Sequence, residues 1–144
     1  MTQNDLIKIL SERGAFFANA ANTGQINRVN INLQGLHAAT IPTFMNGLYQ
    51  KCGGINLGSG YIFGPNEFTI GPKHPIPDIF SVNRELTNIS ALRGKTIFGR
   101  NDLFWFAFDS FGKCEMLDNL GLNTLRKYDD PYRAIFECII GGKI

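Results

Sequence analysis

TIFGRNDLFWFAFDSFGKCEMLD, residues 96–118, is the stretch that decides how this chain folds. Six consecutive apolar residues, Leu103 to Phe108, lie in it between two polar loops. Because side chains alternate along a strand, Leu103, Trp105 and Ala107 face one way and the three phenylalanines face the other. Both faces of the segment are therefore apolar, which predicts a central strand that is covered on each side.

The residues after this strand predict a hairpin. Asp109-Ser110-Phe111-Gly112 has Asp at the first position of a turn and Gly at the last. In the return strand, Cys114 and Met116 are expected to face inward together. Lys113 and Glu115 alternate with them, so one side of the return strand is expected to be exposed to solvent.

Composition limits the chain to one ordinary domain. The 144 residues are 44% hydrophobic and include 12 Phe, enough for a single core built largely from phenylalanine. Helical and strand patterns both occur, so we expect one mixed α+β domain over residues 1–144. The hydropathy contains no apolar window near the length of about 18 residues that a membrane span needs, and residues 1–10 do not resemble a signal peptide. A cytoplasmic protein with no membrane partner is expected.

The charge balance argues against nucleic acid as a partner. Formal net charge is +2, from 14 basic and 12 acidic residues, and no run of five like charges occurs. Phosphate tracking requires clustered cations, whereas Arg93, Lys95 and Arg100 are separated by structure-forming residues. Three cysteines, Cys52, Cys114 and Cys138, are too far apart for a CxxC metal site. We interpret them as buried thiols of a reducing compartment.

Helical spacing predicts helices in the first half of the chain. Asn4 is a candidate cap for a first helix with Asp5 in its first turn. A second helix is predicted to open at Thr40-Ile41-Pro42, where Pro suits the first turn, and to end at Gly53-Gly54. Between them, residues 22–39 show weak alternation around Val29, Ile31 and Leu33, which favours a short strand.

The middle and the end of the chain also contain recognisable signals. Tyr61-Ile62-Phe63 and Glu67-Phe68-Thr69-Ile70 are predicted to form two short strands around a Gly64-Pro65-Asn66 turn. The proline-rich segment 71–77 is predicted to be a stiff loop, and a short helix is expected over residues 78–86. A last helix has Asp130 as its cap and Pro131 at its first position, and Gly141-Gly142 should end it.

No catalytic constellation is apparent in the sequence. His37 and His74 are the only histidines, and neither lies near a nucleophile in an arrangement typical of a triad. Asp129 and Asp130 form a carboxylate pair, but a turn residue and a helix cap explain them better. We therefore expect no enzyme, no cofactor and no metal site.

Two segments resemble the SUKH superfamily, also called the Smi/Knr-like family. Residues 41–54 resemble its signature helix, opened by an apolar-Pro pair, with an aromatic two residues later and a closing Gly. Ile97-Phe98-Gly99, followed by Phe106-Ala107-Phe108-Asp109, Gly112 and Asp118, is similar to its strand and hairpin with an acidic, glycine-ended turn. The closing helix after Tyr128 is similar too, so the resemblance covers roughly residues 41–140.

The resemblance implies a single α+β domain with a mainly antiparallel sheet and flanking helices. Such a domain is noncatalytic and acts by binding another protein. In bacteria, such domains are most often immunity proteins that occlude the active site or substrate path of a polymorphic toxin. The alternative is a regulatory or adaptor module related to cell-wall synthesis, and a third hypothesis is a small enzyme whose site is not recognisable. An acidic balance, which would suit an inhibitor of a cationic nuclease, is absent.

A partner surface needs aromatic or Arg anchors with charged surroundings. Residues in predicted loops and strand ends are the candidates, because loops carry binding residues more often than core elements do. The predicted partner-binding residues are Tyr61, Glu67, Arg84, Arg100, Asp102, Asp109, Asp118 and Tyr128.

Overall fold

Helices and short strands alternate along residues 1–141, the part of the chain that the computed structural model describes. In chain order, the elements are α1 (Gln3–Glu12), β1 (Phe16–Phe17), α2 (Thr23–Gly35), α3 (Thr43–Tyr49), β2 (Ile55–Leu57), β3 (Gly60–Ile62), β4 (Phe68–Ile70), β5 (His74–Ile76), α4 (Ile79–Glu85), a 3₁₀ turn (Ser90–Leu92), β6 (Lys95–Arg100), β7 (Phe104–Asp109), β8 (Cys114–Asp118), β9 (Thr124–Tyr128) and α5 (Pro131–Ile140). None of the helices in this part of the chain is both long and apolar enough to cross a bilayer.

The strands form one large antiparallel sheet and one small one. Seven strands pair in the order β1-β2-β3-β6-β7-β8-β9, while β4 and β5 form a separate hairpin. Every neighbouring pair is antiparallel. The predicted class, a single α+β domain with a mainly antiparallel sheet and flanking helices, is confirmed.

The predicted central strand is β7, which lies between β6 and β8. Phe106, Ala107 and Phe108 are fully buried, so both faces are covered along this part of the strand. The ring of Phe108 stacks on Phe98 of β6 at a centroid distance of 5.8 Å. At the other end of the apolar run Leu103 is 58% exposed, so there the run reaches the surface.

The hairpin from β7 to β8 forms as predicted. The Gly112 amide donates to the Asp109 carbonyl at 3.0 Å, and Gly112 has the left-handed φ of +78° that its turn position requires. The expectation that one side of β8 is exposed to solvent is wrong for Glu115, which is only 6% exposed. Lys95 Nζ of β6 lies 2.7 Å from Glu115 Oε2, and this ion pair allows the carboxylate to be buried.

The closing helix α5 also begins as predicted. The Asp130 carboxylate accepts a hydrogen bond from the Tyr132 amide, and Pro131 occupies the first turn. Four residues on its inner face, Ala134, Ile135, Cys138 and Ile139, are buried. Gly141 ends the helix with a left-handed φ of +106°, while Gly142 lies outside the described residues.

Helix α5 packs against one face of the sheet at two glycines. A Cβ atom on Gly60 of β3 would lie 2.5 Å from the Ile139 carbonyl oxygen. A Cβ on Gly99 of β6 would lie 2.9 Å from Cys138 Sγ. Only glycine allows the helix to come this close to β3 and β6.

The strand expected within residues 22–39 is wrong, because the segment forms α2. Asn22 and Gln25 form a capping box, in which each side chain accepts from the other's backbone amide at 2.9 Å. Val29 and Leu33 are buried on one side of the helix, whereas Ile31 is 67% exposed. The apparent alternation came from Ile31, which lies off the buried face.

Two helix boundaries differ from the prediction. Thr2, not Asn4, caps α1, and it forms a capping box with Asp5. Helix α3 begins at Thr43 after Pro42 and ends at Tyr49, before Gly53. Gly53 is instead required for packing, since a Cβ there would lie 2.4 Å from the Asn19 carbonyl oxygen.

The predicted hairpin of residues 61–70 is also wrong. Strand β3 pairs with β2 and β6, and β4 pairs with β5, which lies inside the proline-rich segment expected to be a loop. Pro75 lies in a strand with only one neighbour, which is the edge position where sheets tolerate proline. The short helix expected after this segment is α4, and Asp78 caps it.

The three cysteines are free and buried, as predicted. Burial raises the pKa of the Cys52 thiol to about 11 and that of Cys114 to about 12. Burial also raises the pKa of Cys138, whose Sγ lies 3.5 Å from the Tyr61 carbonyl oxygen.

Candidate functional site

A cleft of about 560 Å³ lies between α4, the β4–β5 hairpin and the adjoining ends of β3, β6 and β7. Its lining includes the polar or aromatic residues Tyr61, His74, Ser81, Glu85, Arg100 and Trp105. Apolar side chains such as Ile76 and Val82 complete the walls. We call this the Trp105 cleft.

Strand pairing places three of these side chains in a row. Tyr61 of β3 is the register partner of Arg100 of β6, and Arg100 is the partner of Trp105 of β7. Register partners on adjacent strands project from the same face of a sheet. Tyr61, Arg100 and Trp105 therefore share the face opposite α5.

A bulge in β6 brings Arg100 onto this face. Ile97 pairs with Ala107 and Arg100 with Trp105, so three residues of β6 span the distance of two residues of β7. The extra residue lies between Ile97 and Gly99. Without this bulge, Arg100 would face α5, since alternation reverses the facing of every residue beyond an insertion.

The guanidinium of Arg100 lies over an aromatic ring and has no counter-ion among residues 1–141. Its guanidinium carbon is 5.1 Å from the centroid of the Trp105 ring, which is a cation–π geometry. Its side chain is exposed. Within residues 1–141, four ion pairs form and none includes Arg100. The donors of the guanidinium are thus open to a ligand or partner.

Tyr61 and His74 form the adjoining part of the wall. The Tyr61 hydroxyl lies 3.5 Å from His74 Nε2, and the two ring centroids are 6.5 Å apart. His74 is exposed and Tyr61 is half-buried. Both side chains can exchange hydrogen bonds with a group that enters the cleft.

The opposite wall is fixed to the same strand that carries Arg100. The Asn83 carboxamide of α4 donates to the Ile97 carbonyl at 2.9 Å and accepts from the Ile97 amide at 2.8 Å. β3 does not pair with β6 at Ile97, so the Asn83 side chain makes the backbone hydrogen bonds that a neighbouring strand would otherwise make there. Val82 and Glu85, which flank Asn83, line the cleft. The spacing between its walls is therefore set by buried hydrogen bonds.

The structure brings two of the predicted partner-binding residues together, Tyr61 and Arg100. Arg84 is exposed on α4, but its guanidinium lies over the Phe80 ring at 5.5 Å. Glu67 is exposed immediately before β4, and Asp102 is exposed between β6 and β7. Neither of these two lines the cleft.

Asp109 and Asp118 serve as turn residues. The Asp109 carboxylate accepts from the Phe111 and Lys113 amides at 2.9 and 3.0 Å. The Asp118 carboxylate accepts from four consecutive amides, beginning with Leu120. These hydrogen bonds, with that of Gly121 foremost, hold the pKa of Asp118 below its ordinary value.

Tyr128 was expected at the surface, and that expectation is wrong because α5 covers it. Tyr128 is 5% exposed, and its hydroxyl donates to Glu137 of α5. Arg126 Nη1 lies 3.0 and 3.1 Å from the two Glu137 oxygens, and its guanidinium carbon is 5.2 Å from the Tyr128 ring centroid. Burial, and next the bond to Glu137, raise the pKa of Tyr128. We call Arg126, Tyr128 and Glu137 the closed Arg126 site.

Sequence reasoning missed Trp105 and His74 as cleft residues. The alternation along residues 103–108 predicts a buried face for Trp105, since nothing local reveals that the first residues of β7 reach the surface. The prolines around His74 predict a loop. The remaining signal was composition, because Trp105 is the only Trp in the chain and Trp is enriched at binding surfaces.

A second hollow is less suited to recognition. It has a volume of about 450 Å³ and is lined by residues at the end of α2, the end of α4 and the 3₁₀ turn. Its lining in the described part of the chain includes no Phe, Tyr or Trp and none of the predicted partner-binding residues. The Trp105 cleft is therefore the candidate site.

Comparisons with known proteins add no relative. The chain matches no protein-family model, and no curated protein is significantly similar to it. Among residues 1–141, no group of three or more His, Cys, Asp or Glu side chains is arranged to hold a metal ion.

Proposed function

We propose that this chain is a noncatalytic immunity protein, which binds one toxin domain and neutralises it by occlusion. The observation that carries the proposal is the Trp105 cleft, in which Arg100 lies over Trp105 beside Tyr61. Trp, Tyr and Arg are the residues that most often dominate the binding energy of protein interfaces. Here all three meet at one exposed site, and Arg100 has no counter-ion within residues 1–141.

The rigidity of the cleft favours binding of a preformed surface. Tyr61, Arg100 and Trp105 lie on three adjacent strands, and Asn83 holds the opposite wall to β6. Anchors that are fixed before binding lose little conformational entropy when a partner arrives. Preorganised anchors of this kind favour tight binding.

Exposed leucines extend the surface next to the cleft. Leu103 is 58% exposed in the loop that precedes β7, and Leu120 is 95% exposed in the loop between β8 and β9. Asn119 Nδ2 donates to the Asp102 carbonyl at 3.4 Å, so the two loops are neighbours. A stable complex buries roughly 800 Å² on each partner, more than a cleft of this size supplies. We assign the additional area to these loops.

The class of partner follows from the resemblance to the SUKH superfamily over residues 41–54 and 97–118. Members of that kind act as antitoxins in the cytoplasm, and we propose the same compartment and the same absence of catalysis for this chain. A regulatory adaptor of the Smi/Knr-like family is the second candidate. The net charge of +2 favours it over an inhibitor of cationic nucleases, because like charges on two partners oppose association.

The experiment is capture of partners from the native host with this chain as bait, followed by co-expression. Recovery of a protein with a toxin domain, whose inhibition of growth this chain abolishes, would support the proposal. Trp105→Ala should lose that protection, and Arg28→Gln, at an exposed arginine of α2, should retain it. Recovery of regulators alone would favour the adaptor, and turnover of a small molecule would indicate an enzyme.

A further inference from the structure

The closed Arg126 site shows what completes an arginine that lies over an aromatic ring in this fold. The Glu137 carboxylate accepts from Arg126 through both oxygens and also from the Tyr128 hydroxyl. Glu137 is only 5% exposed, so its charge is stabilised almost entirely by these neighbours and by Arg133 at 3.5 Å. An arginine and a tyrosine hydroxyl together thus hold one carboxylate.

The Trp105 cleft repeats this arrangement without the carboxylate. Arg100 lies over Trp105 at 5.1 Å, compared with 5.2 Å for Arg126 over Tyr128. Tyr61, the register partner of Arg100, supplies the hydroxyl, and His74 lies beside it. We propose that an Asp or Glu side chain of the protein partner enters the cleft and takes the place that Glu137 takes in the closed site. The inference rests on the proposed function, since it names the chemistry of the partner that the same cleft would bind.

The other charges in the cleft determine where the acid binds. Among the described residues, Glu85 is the only one that contributes a carboxylate to the lining, and it lies on the α4 wall. Glu85 forms no ion pair with Arg100 in the described structure. Repulsion from Glu85 keeps an incoming carboxylate on the strand wall, next to Arg100 and Tyr61.

The rest of the lining determines the neighbours of that acid. Ile76 of β5 and Val82 and Leu86 of α4 present apolar surface to the same cleft. Burial of apolar side chains against these walls would add to the charge-assisted hydrogen bonds of the carboxylate. The expected segment is therefore an acidic residue flanked by apolar residues.

Trp105 provides a direct assay, because it is the only Trp in the chain. The ¹⁵N-labelled full chain is titrated with acetyl-Leu-Glu-Leu-amide and, as a matched neutral control, with acetyl-Leu-Gln-Leu-amide. The indole N–H signal of Trp105 should shift with the Glu peptide, and the Gln peptide should bind about tenfold more weakly. Equal shifts with both peptides, or no shift with the Glu peptide, would overturn the proposal.

Variants make the assignment specific. Arg100→Gln should weaken binding of the Glu peptide by about tenfold, because it removes the charge and keeps a planar polar group. Glu85→Gln should tighten binding by removing the like charge, and Arg28→Gln should leave it unchanged. Binding that survives Arg100→Gln would contradict the proposal, as would a stronger indole shift with inorganic phosphate than with the Glu peptide.

These outcomes are separate from those of the co-expression assay. Acid-specific binding at Trp105 without protection from any toxin would remove the immunity function and leave the cleft assignment intact. Protection that persists in Arg100→Gln, with no discrimination between the two peptides, would retain the function and remove the assignment.

Discussion

The closed Arg126 site and the Trp105 cleft contain the same pair of groups and differ in what faces them. In each, an arginine lies about 5 Å above an aromatic ring. In the closed site, α5 supplies Glu137 and covers Tyr128, and both are buried, while Arg126 stays partly exposed. In the cleft no acid in residues 1–141 pairs with Arg100. The first pair is therefore expected to contribute to stability and the second to binding.

The difference follows from where α5 lies on the sheet. This helix covers the face that carries Gly60, Gly99 and Tyr128, and the close approach at the two glycines fixes its position. Arg100 and Trp105 project from the other face, at the end of β7 that reaches the surface. One face can therefore be used for binding without weakening the core on the other.

The largest effect should come from truncating the core beside the closed site. Phe106→Ala removes a fully buried ring that lies 6.3 Å from Tyr128, and we expect a loss of about 3 to 5 kcal/mol in the free energy of unfolding. Urea denaturation measures it. Leu103→Ala, at the exposed end of the same apolar run, is the control and should change stability by less than about 0.5 kcal/mol. If Phe106→Ala were as stable as the parent, β7 would not be the centre of the core.

Opening the closed site should cost less. Glu137→Gln keeps the size of the side chain but removes the charge that pairs with Arg126, and a loss of about 2 to 3 kcal/mol is expected. The matched variant in the cleft, Glu85→Gln, should leave unfolding within about 0.5 kcal/mol of the parent. Equal effects on urea midpoints at the two positions would remove the distinction between the sites.

The alkaline side of the stability profile tests burial near the closed site. Cys114 is the register partner of Tyr128, and burial raises the pKa of its thiol from 9.0 to about 12. Above pH 9 the unfolded thiol loses its proton while the folded one keeps it, so stability should fall as pH rises. Between the unfolded and the folded pKa, the free energy of unfolding falls by about 1.4 kcal/mol per pH unit for each such thiol. Urea unfolding between pH 8 and pH 10 measures it. Cys114→Ala should reduce the slope by the share of one thiol, since Cys52 and Cys138 remain. An unchanged slope in that variant would contradict the assignment.

The smallest effect on stability is expected at the cleft itself. Arg100→Ala removes an exposed side chain that makes no ion pair within residues 1–141. The free energy of unfolding obtained from thermal melting should therefore match that of the parent within about 0.5 kcal/mol. The near-ultraviolet signal of Trp105 should change, because the guanidinium no longer lies over its ring. A loss of stability comparable to that of Glu137→Gln would show that Arg100 is structural.

Elements with strong local signals could be predicted from the sequence. The β7–β8 hairpin follows from an apolar run and an Asp-to-Gly turn, and α5 follows from Asp130, Pro131 and one apolar face. In α2, by contrast, Val29 and Leu33 fit helical spacing, but the exposed Ile31 between them gives the two-residue alternation of a strand. Tertiary burial, which local pattern does not contain, decided between the two.

The candidate site could be predicted only in part, because pairing between distant segments builds it. Tyr61 and Arg100 were selected by residue type, and their proximity depends on the pairing of β3 with β6. The face of the sheet from which Arg100 projects depends on a bulge in β6, and no turn residue in the sequence predicts that bulge. Tyr128 was misplaced for the same reason, since only the packing of α5 shows that it is buried.

The central claim is that the open pair, Arg100 and Trp105, binds a toxin domain while the closed pair stabilises the fold. Its most direct test is the affinity of a captured toxin domain for the parent, Arg100→Gln and Arg28→Gln, measured by calorimetry on chains with matched melting temperatures. The account predicts that only Arg100→Gln weakens binding, by about 2 kcal/mol or more, with a parallel loss of growth protection. Undiminished affinity of Arg100→Gln would contradict it.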